Sequence, residues 1–88
     1  MQKIHITAET DAYRELLRQL GISPFNNLDS YDMDDSKRIT IGGKEFEVKG
    51  DVDGSTIYRV QRFHTNKKPT IWLAPWTPPS WFWLTQNP

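Results

Sequence analysis

The sequence predicts an α+β domain in which one amphipathic helix packs across an antiparallel sheet of four or five strands. Three observations carry this. Tyr13, Leu16, Leu17 and Leu20 fall at i, i+3, i+4 and i+7, which lays one apolar stripe along a helix. Alternating segments flank Gly42-Gly43, the pattern of a β-hairpin. The chain has 88 residues, enough for one thin core and no second domain. A small, partly open β-barrel with an N-terminal helix, built from the same strands, is the alternative architecture.

Taken in order, Ile4 and Ile6 alternate with Lys3 and His5, the period of a half-buried strand. Thr7 and Thr10 each offer a capping oxygen for the helix, which is expected over residues 8–20. Gly21 directly after Leu20 suits the end of a helix, Ile22 can fold back onto the last turn, and Pro24 forbids continuation. Residues 23–36 interrupt Phe25, Leu28, Tyr31 and Met33 with Pro, Asn, Asp and Ser and show no clean period, which reads as a long loop or an irregular short helix. In the hairpin 38–48, a two-residue Gly-Gly turn sets Ile39 opposite Phe46 and Arg38 opposite Glu47, giving one apolar face and one charged face. Residues 50–54 form a turn, a strand follows over 56–64, and another runs from 70 to 73 or 74, completing an antiparallel meander. Residues 75–88 hold four prolines among Trp76, Trp81, Phe82, Trp83 and Leu84, expected as an extended arm with 81–84 able to pair at a sheet edge.

Basic and acidic residues balance at 11 each, which argues against a histone-like binder and against an acidic mimic of nucleic acid. The charge is nonetheless divided: residues 1–36 carry a net of minus four and residues 37–88 a net of plus four. Cysteine is absent, which excludes disulfides, thiolate zinc sites and cysteine nucleophiles and makes a reducing, cytoplasmic setting the expectation. No apolar run approaches a membrane span and no leader is apparent at the amino terminus.

Asp51-Val52-Asp53-Gly54-Ser55 resembles part of a calcium loop, but placing Gly54 sixth puts Lys49 first and Val60 twelfth, where a bidentate Glu is required. A tight turn accounts for these residues, and no metal or other cofactor is expected. His5 and His64 stand alone, with no nucleophile elbow or orienting acid near them in sequence, so no catalytic residues are assigned and the chain is read as not an enzyme.

Two surfaces remain as candidates. The first joins Tyr31, Asp32, Met33, Asp34 and Asp35 of the acidic loop with Trp76, Trp81 and Trp83 of the arm, because exposed aromatics and methionines anchor protein interfaces. The second is a basic and aromatic strand with its turn, Arg59, Arg62, Phe63, Lys67 and Lys68, which resembles a minimal platform for single-stranded nucleic acid. Strict alternation sends Arg59 and Phe63 to one face and Arg62 to the other, which divides the cations. The first surface is favoured. It implies a small protein-binding module that engages an unidentified protein or a second copy of itself, in the manner of a phage or mobile-element inhibitor of a larger host or defence protein. Weak binding of single-stranded nucleic acid is the alternative.

Overall fold

The computed structural model describes residues 1–23 and 26–86, so Pro24, Phe25 and the last two residues of the expected arm lie outside the described residues. The element order is β1 (Gln2–Thr7), α1 (Asp11–Gln19), β2 (Leu28–Met33), β3 (Arg38–Ile41), β4 (Lys44–Lys49), β5 (Ile57–His64), β6 (Thr70–Pro75) and a 3-10 helix over Ser80–Gln86. The fold is therefore α+β, with α1 against an open six-stranded sheet in the order β2-β1-β5-β6-β4-β3.

The sheet is mixed, which corrects the expected antiparallel meander of four or five strands. β1 runs parallel to β5, and β4 runs parallel to β6, while β1/β2, β3/β4 and β5/β6 are antiparallel. The sixth strand is β2, inside the stretch expected as a loop. Its two Asp residues and Ser30 argue against a strand locally, but full antiparallel pairing with β1 supplies the hydrogen bonds that propensity lacks. An open sheet whose end strands β2 and β3 are joined by only residues 34–37 fits the alternative architecture.

The helix forms where the apolar stripe requires. Tyr13, Leu16 and Leu17 are buried and Leu20 packs at the margin of the same core. It starts later than expected. Thr10 stands at the N-cap in extended conformation, but its hydroxyl makes no capping bond, while Thr7 Oγ1 accepts the Glu9 N–H at 3.1 Å. The end is as predicted: the Gly21 N–H reaches Arg18 O at 3.1 Å, and the Ile22 N–H reaches Leu17 O at 2.9 Å, the paired bonds that close a helix at glycine.

The hairpin has the predicted register, Ile39 against Phe46 and Arg38 against Glu47, turned by Gly42 and Gly43 at φ of 58° and 80°. Positive φ at both central residues gives the turn whose twist matches that of the strands. The ion pair differs from the expected one: Arg38 reaches across the diagonal to Glu45 at 3.0 Å, and Glu47 instead meets Lys49 at 3.2 Å. At the far end of β4, Gly50 has φ of 115°, and a Cβ there would stand 2.9 Å from the carbonyl oxygen of Leu73, so backbone passes where no side chain fits.

One core cluster joins α1 to a single face of the sheet: Ile4 and Ile6 from β1, Phe46 and Val48 from β4, Tyr58 and Val60 from β5, and Ile71 and Leu73 from β6. The opposite face of β4, β5 and β6 is left to polar residues with Trp72 and Ala74, and it is there that a basic surface develops. Among the described residues no helix is long and apolar enough to cross a membrane.

Candidate functional site

The acidic segment is shaped by its pairing with β1. Alternation along β2 turns Tyr31 and Met33 toward the core and leaves Ser30 and Asp32 outside. Met33 is only 6% exposed, and Tyr31 is half-buried with its hydroxyl against that of Tyr13. The Tyr13 hydroxyl also donates to Asp29 Oδ2 at 2.7 Å. Burial, followed by these hydroxyl and carboxylate neighbours, pushes Tyr13 far above the usual phenol range; burial likewise raises Tyr31. Two of the five residues expected as exposed anchors thus belong to the fold. The cause is that a phenol or thioether gains more from the core than from water once a strand presents it inward.

The three acids stay outside. Asp32 lies 3.8 Å from Lys3 across the strand pair. Asp34 Oδ1 accepts the Ser36 and Arg38 backbone N–H groups, each at 2.9 Å, and so shapes the connection to β3; Asp35 is exposed.

The aromatic arm is helical where an extended or edge-strand conformation was expected. After β6 the Trp76 N–H bonds Ile57 O at 2.8 Å, and the Phe82 N–H bonds Pro79 O at 3.0 Å as the 3-10 turn begins. Pro78 and Pro79 have no N–H to give to a ladder but are suited to precede a helical turn, whose first donors are unpaired in any case. Three residues per turn place successive side chains about 120° apart. Phe82 points inward and is fully buried, its ring centroid 4.9 Å from Trp76, 5.6 Å from Trp83 and 6.3 Å from Trp81. Trp81 and Trp83 flank it, each 51% exposed, and Leu84, one turn beyond Trp81, is 77% exposed. The four rings lie outside the main core and stack edge to face or tilted, the arrangement their quadrupoles favour. The three predicted tryptophans are therefore brought together, with Trp76 as support and Trp81 and Trp83 as surface.

The basic strand is rearranged by a bulge. Val60 faces Leu73 and Arg62 faces Trp72, so Gln61 is the extra residue and the alternation reverses after it. Phe63 then lies opposite Ile71 and packs on the core, which corrects its assignment as an exposed stacking residue. The same reversal unites what alternation divided: Arg59, Arg62 and His64 all share the outer face with Trp72. The Arg62 guanidinium stands 4.4 Å over the Trp72 ring, and His64 meets that ring edge to face at 5.2 Å. Trp72 was the member missed, although the spacing Tyr58, Val60, Phe63 signalled a break in the period of two.

Lys67 and Lys68 sit at a separate shallow groove of about 230 Å³ with Arg38, Glu45 and Glu47. Lys68 Nζ is 3.9 Å from Glu47, whose carboxyl is held below the usual range first by Lys49 and then by the neighbouring cations. In the 51–55 turn, Asp53 Oδ1 accepts the Ser55 N–H at 2.8 Å and its hydroxyl at 2.7 Å, so this carboxylate serves the turn. Among the described residues, no group of three His, Asp or Glu side chains is arranged to hold a metal ion. Compared with models of protein families, with curated proteins and with solved structures, the chain matches none.

Proposed function

We propose that this chain is a small, non-catalytic protein-binding module whose contact surface is the outer side of the aromatic arm. The observation that carries the reading is that Trp81, Trp83 and Leu84 are held more than half exposed on a helical turn anchored by the fully buried Phe82. Tryptophan is the residue most enriched at binding hot spots, and a turn already ordered in the free protein loses little entropy when it docks. A chain of this size acts by occupying a surface of a larger partner, as a stoichiometric inhibitor of a host or defence protein does. A cytoplasmic setting accords with the cysteine-free sequence.

The test is capture of partners by the tagged full chain, with and without nuclease, followed by the same capture with the Trp81→Ala/Trp83→Ala double variant. The expected result is one stoichiometric protein that survives nuclease and moderate salt. The double variant should bind it more weakly by a factor of about 30 or more, the loss that a single hot-spot residue worth about 2 kcal/mol already causes. Its far-ultraviolet circular dichroism should stay unchanged. Unfolding of the variant would show the two tryptophans to be core and defeat the assignment.

A second reading is favoured by the bulge at Gln61, because Arg59, Arg62 and His64 surround Trp72 on one outer face. Under it, single-stranded nucleic acid lies along β5 and β6, with the phosphates on the arginines and a base on the indole. Anisotropy with labelled oligothymidylate should then show affinity that falls steeply with salt, and Arg62→Ala should weaken binding irrespective of base sequence. Affinity insensitive to salt, or unchanged by Arg62→Ala, removes this reading.

A further inference from the structure

Of the five arginines, three are engaged: Arg14 Nε donates to Ala8 O at 2.8 Å, Arg18 pairs with Glu15, and Arg38 pairs with Glu45. Arg59 and Arg62 meet no carboxylate among the described residues. They share the outer face of β5. The bulge at Gln61 sets Arg59 opposite Ala74, Arg62 opposite Trp72 and His64 opposite Thr70. These are alternate positions of β6, about 7 Å apart, so two arginine side chains and the imidazole beyond them can close on one small group.

Arg62 is already held for such a role. Its guanidinium stands 4.4 Å over the Trp72 indole, which His64 meets edge to face. Stacking uses the flat of a guanidinium and leaves its N–H donors, which lie in the plane, for an anion. A fork fixed before binding loses little side-chain entropy when it binds. Ala74, the smallest side chain of that row, puts little bulk between Arg59 and the indole.

The cations are also confined. The turn before β5 carries Asp51 and Asp53, and past His64 the next cation to find an acid is Lys68, 3.9 Å from Glu47. The Glu47 carboxyl is held low by Lys49 first and then by Lys68 and Arg38, so it serves those cations and not Arg62. A polyanion threaded along β5 would pass from the two arginines into carboxylates at either end, which opposes a continuous phosphate track. One phosphate of higher charge suits the place better. A phosphate monoester carries about −1.5 to −2, more than a phosphodiester, and two arginine forks with an imidazole match it.

We infer that this face binds the terminal phosphate monoester of a single nucleic-acid strand, the phosphate gripped by Arg59, Arg62 and His64 and the terminal base resting against the Arg62–Trp72 stack. The inference rests on the second reading above, which it narrows from a strand to a strand end, and it does not involve the aromatic arm.

The full chain would be titrated at physiological salt with labelled hexathymidylate carrying a 5′-phosphate, a 3′-phosphate or neither, followed by anisotropy. At least one phosphorylated strand is expected to bind about tenfold or more tightly than the unphosphorylated one, the worth of a charge-assisted bidentate contact. Unlabelled thymidine monophosphate should displace it, and thymidine should not. Arg59→Gln and Arg62→Lys should each cut the advantage to about twofold or less, the lysine because a point charge replaces a stacked fork. Both positions lie outside the core, so circular dichroism should not change. Amide shifts in NMR should centre on residues 59–64 and 70–74. Equal binding of the three strands overturns the terminal phosphate and leaves the broader reading standing, whereas no binding of any strand at about 1 mM removes both. Displacement by thymidine as strong as by its monophosphate, an advantage that survives both variants, or shifts centred on Trp81 and Trp83 also overturns the assignment.

Discussion

Phe46→Ala is expected to remove about 3 to 5 kcal/mol of stability, the usual cost of emptying a buried phenylalanine site. Phe46 is fully buried on β4, opposite Ile39, with Ile71 and Leu73 in the same core cluster. An 88-residue domain has roughly 4 to 13 kcal/mol in total, so the loss is a large share of it. Thermal unfolding followed by circular dichroism should show a midpoint lower by roughly 15 °C or more, since each kcal/mol moves a domain of this size by about 4 to 8 °C. Trp83→Ala, at a half-exposed site on the arm, is the control and should move it far less. A Phe46→Ala midpoint within a few degrees of the parent would mean that the hairpin is not integrated with the core.

The second large effect is alkaline. Tyr13 is buried, donates to Asp29 and abuts the Tyr31 hydroxyl, and its folded-state pKa lies above its unfolded value of about 10. Below pH 10 both states hold the proton and the full stabilisation is present. Above it the unfolded chain gives up a proton that the folded chain keeps, so the unfolding free energy falls by about 1.4 kcal/mol per pH unit. Tyr31, raised by burial as well, adds to the slope. Urea unfolding at pH 9, 10 and 11 should therefore show a steep loss over the upper interval. Tyr13→Phe should be less stable at pH 8, because Asp29 and Tyr31 lose a buried partner, yet flatter above pH 10. An unchanged slope in Tyr13→Phe would mean that the phenol is not held as described.

What was legible in the sequence is what is decided within a few residues of itself. The helix stripe of Tyr13, Leu16 and Leu17, its closure at Gly21 with Ile22 folded back, and the Gly42-Gly43 hairpin with its register all rest on local periodicity and local backbone geometry. The crowding of four tryptophans near the C-terminus was equally visible, and with it the expectation that some would face solvent, as Trp81 and Trp83 do.

The remainder was decided by residues distant in the chain. Residues 28–33 carry a weak strand signal and become β2 only because β1 offers a complete partner edge, which in turn draws Tyr31 and Met33 inward and leaves the aspartates at the end of the sheet. Gln61 bulges because Phe63 must reach Ile71 in the core, and that displacement alone gathers Arg59, Arg62 and His64 around Trp72. The sequence by itself determined the elements with their own period, the thin single core and the aromatic surplus. The tertiary structure decided strand order, the two parallel pairings and which side chains share a surface, because burial free energy depends on what lies across the interface and not on what lies next along the chain.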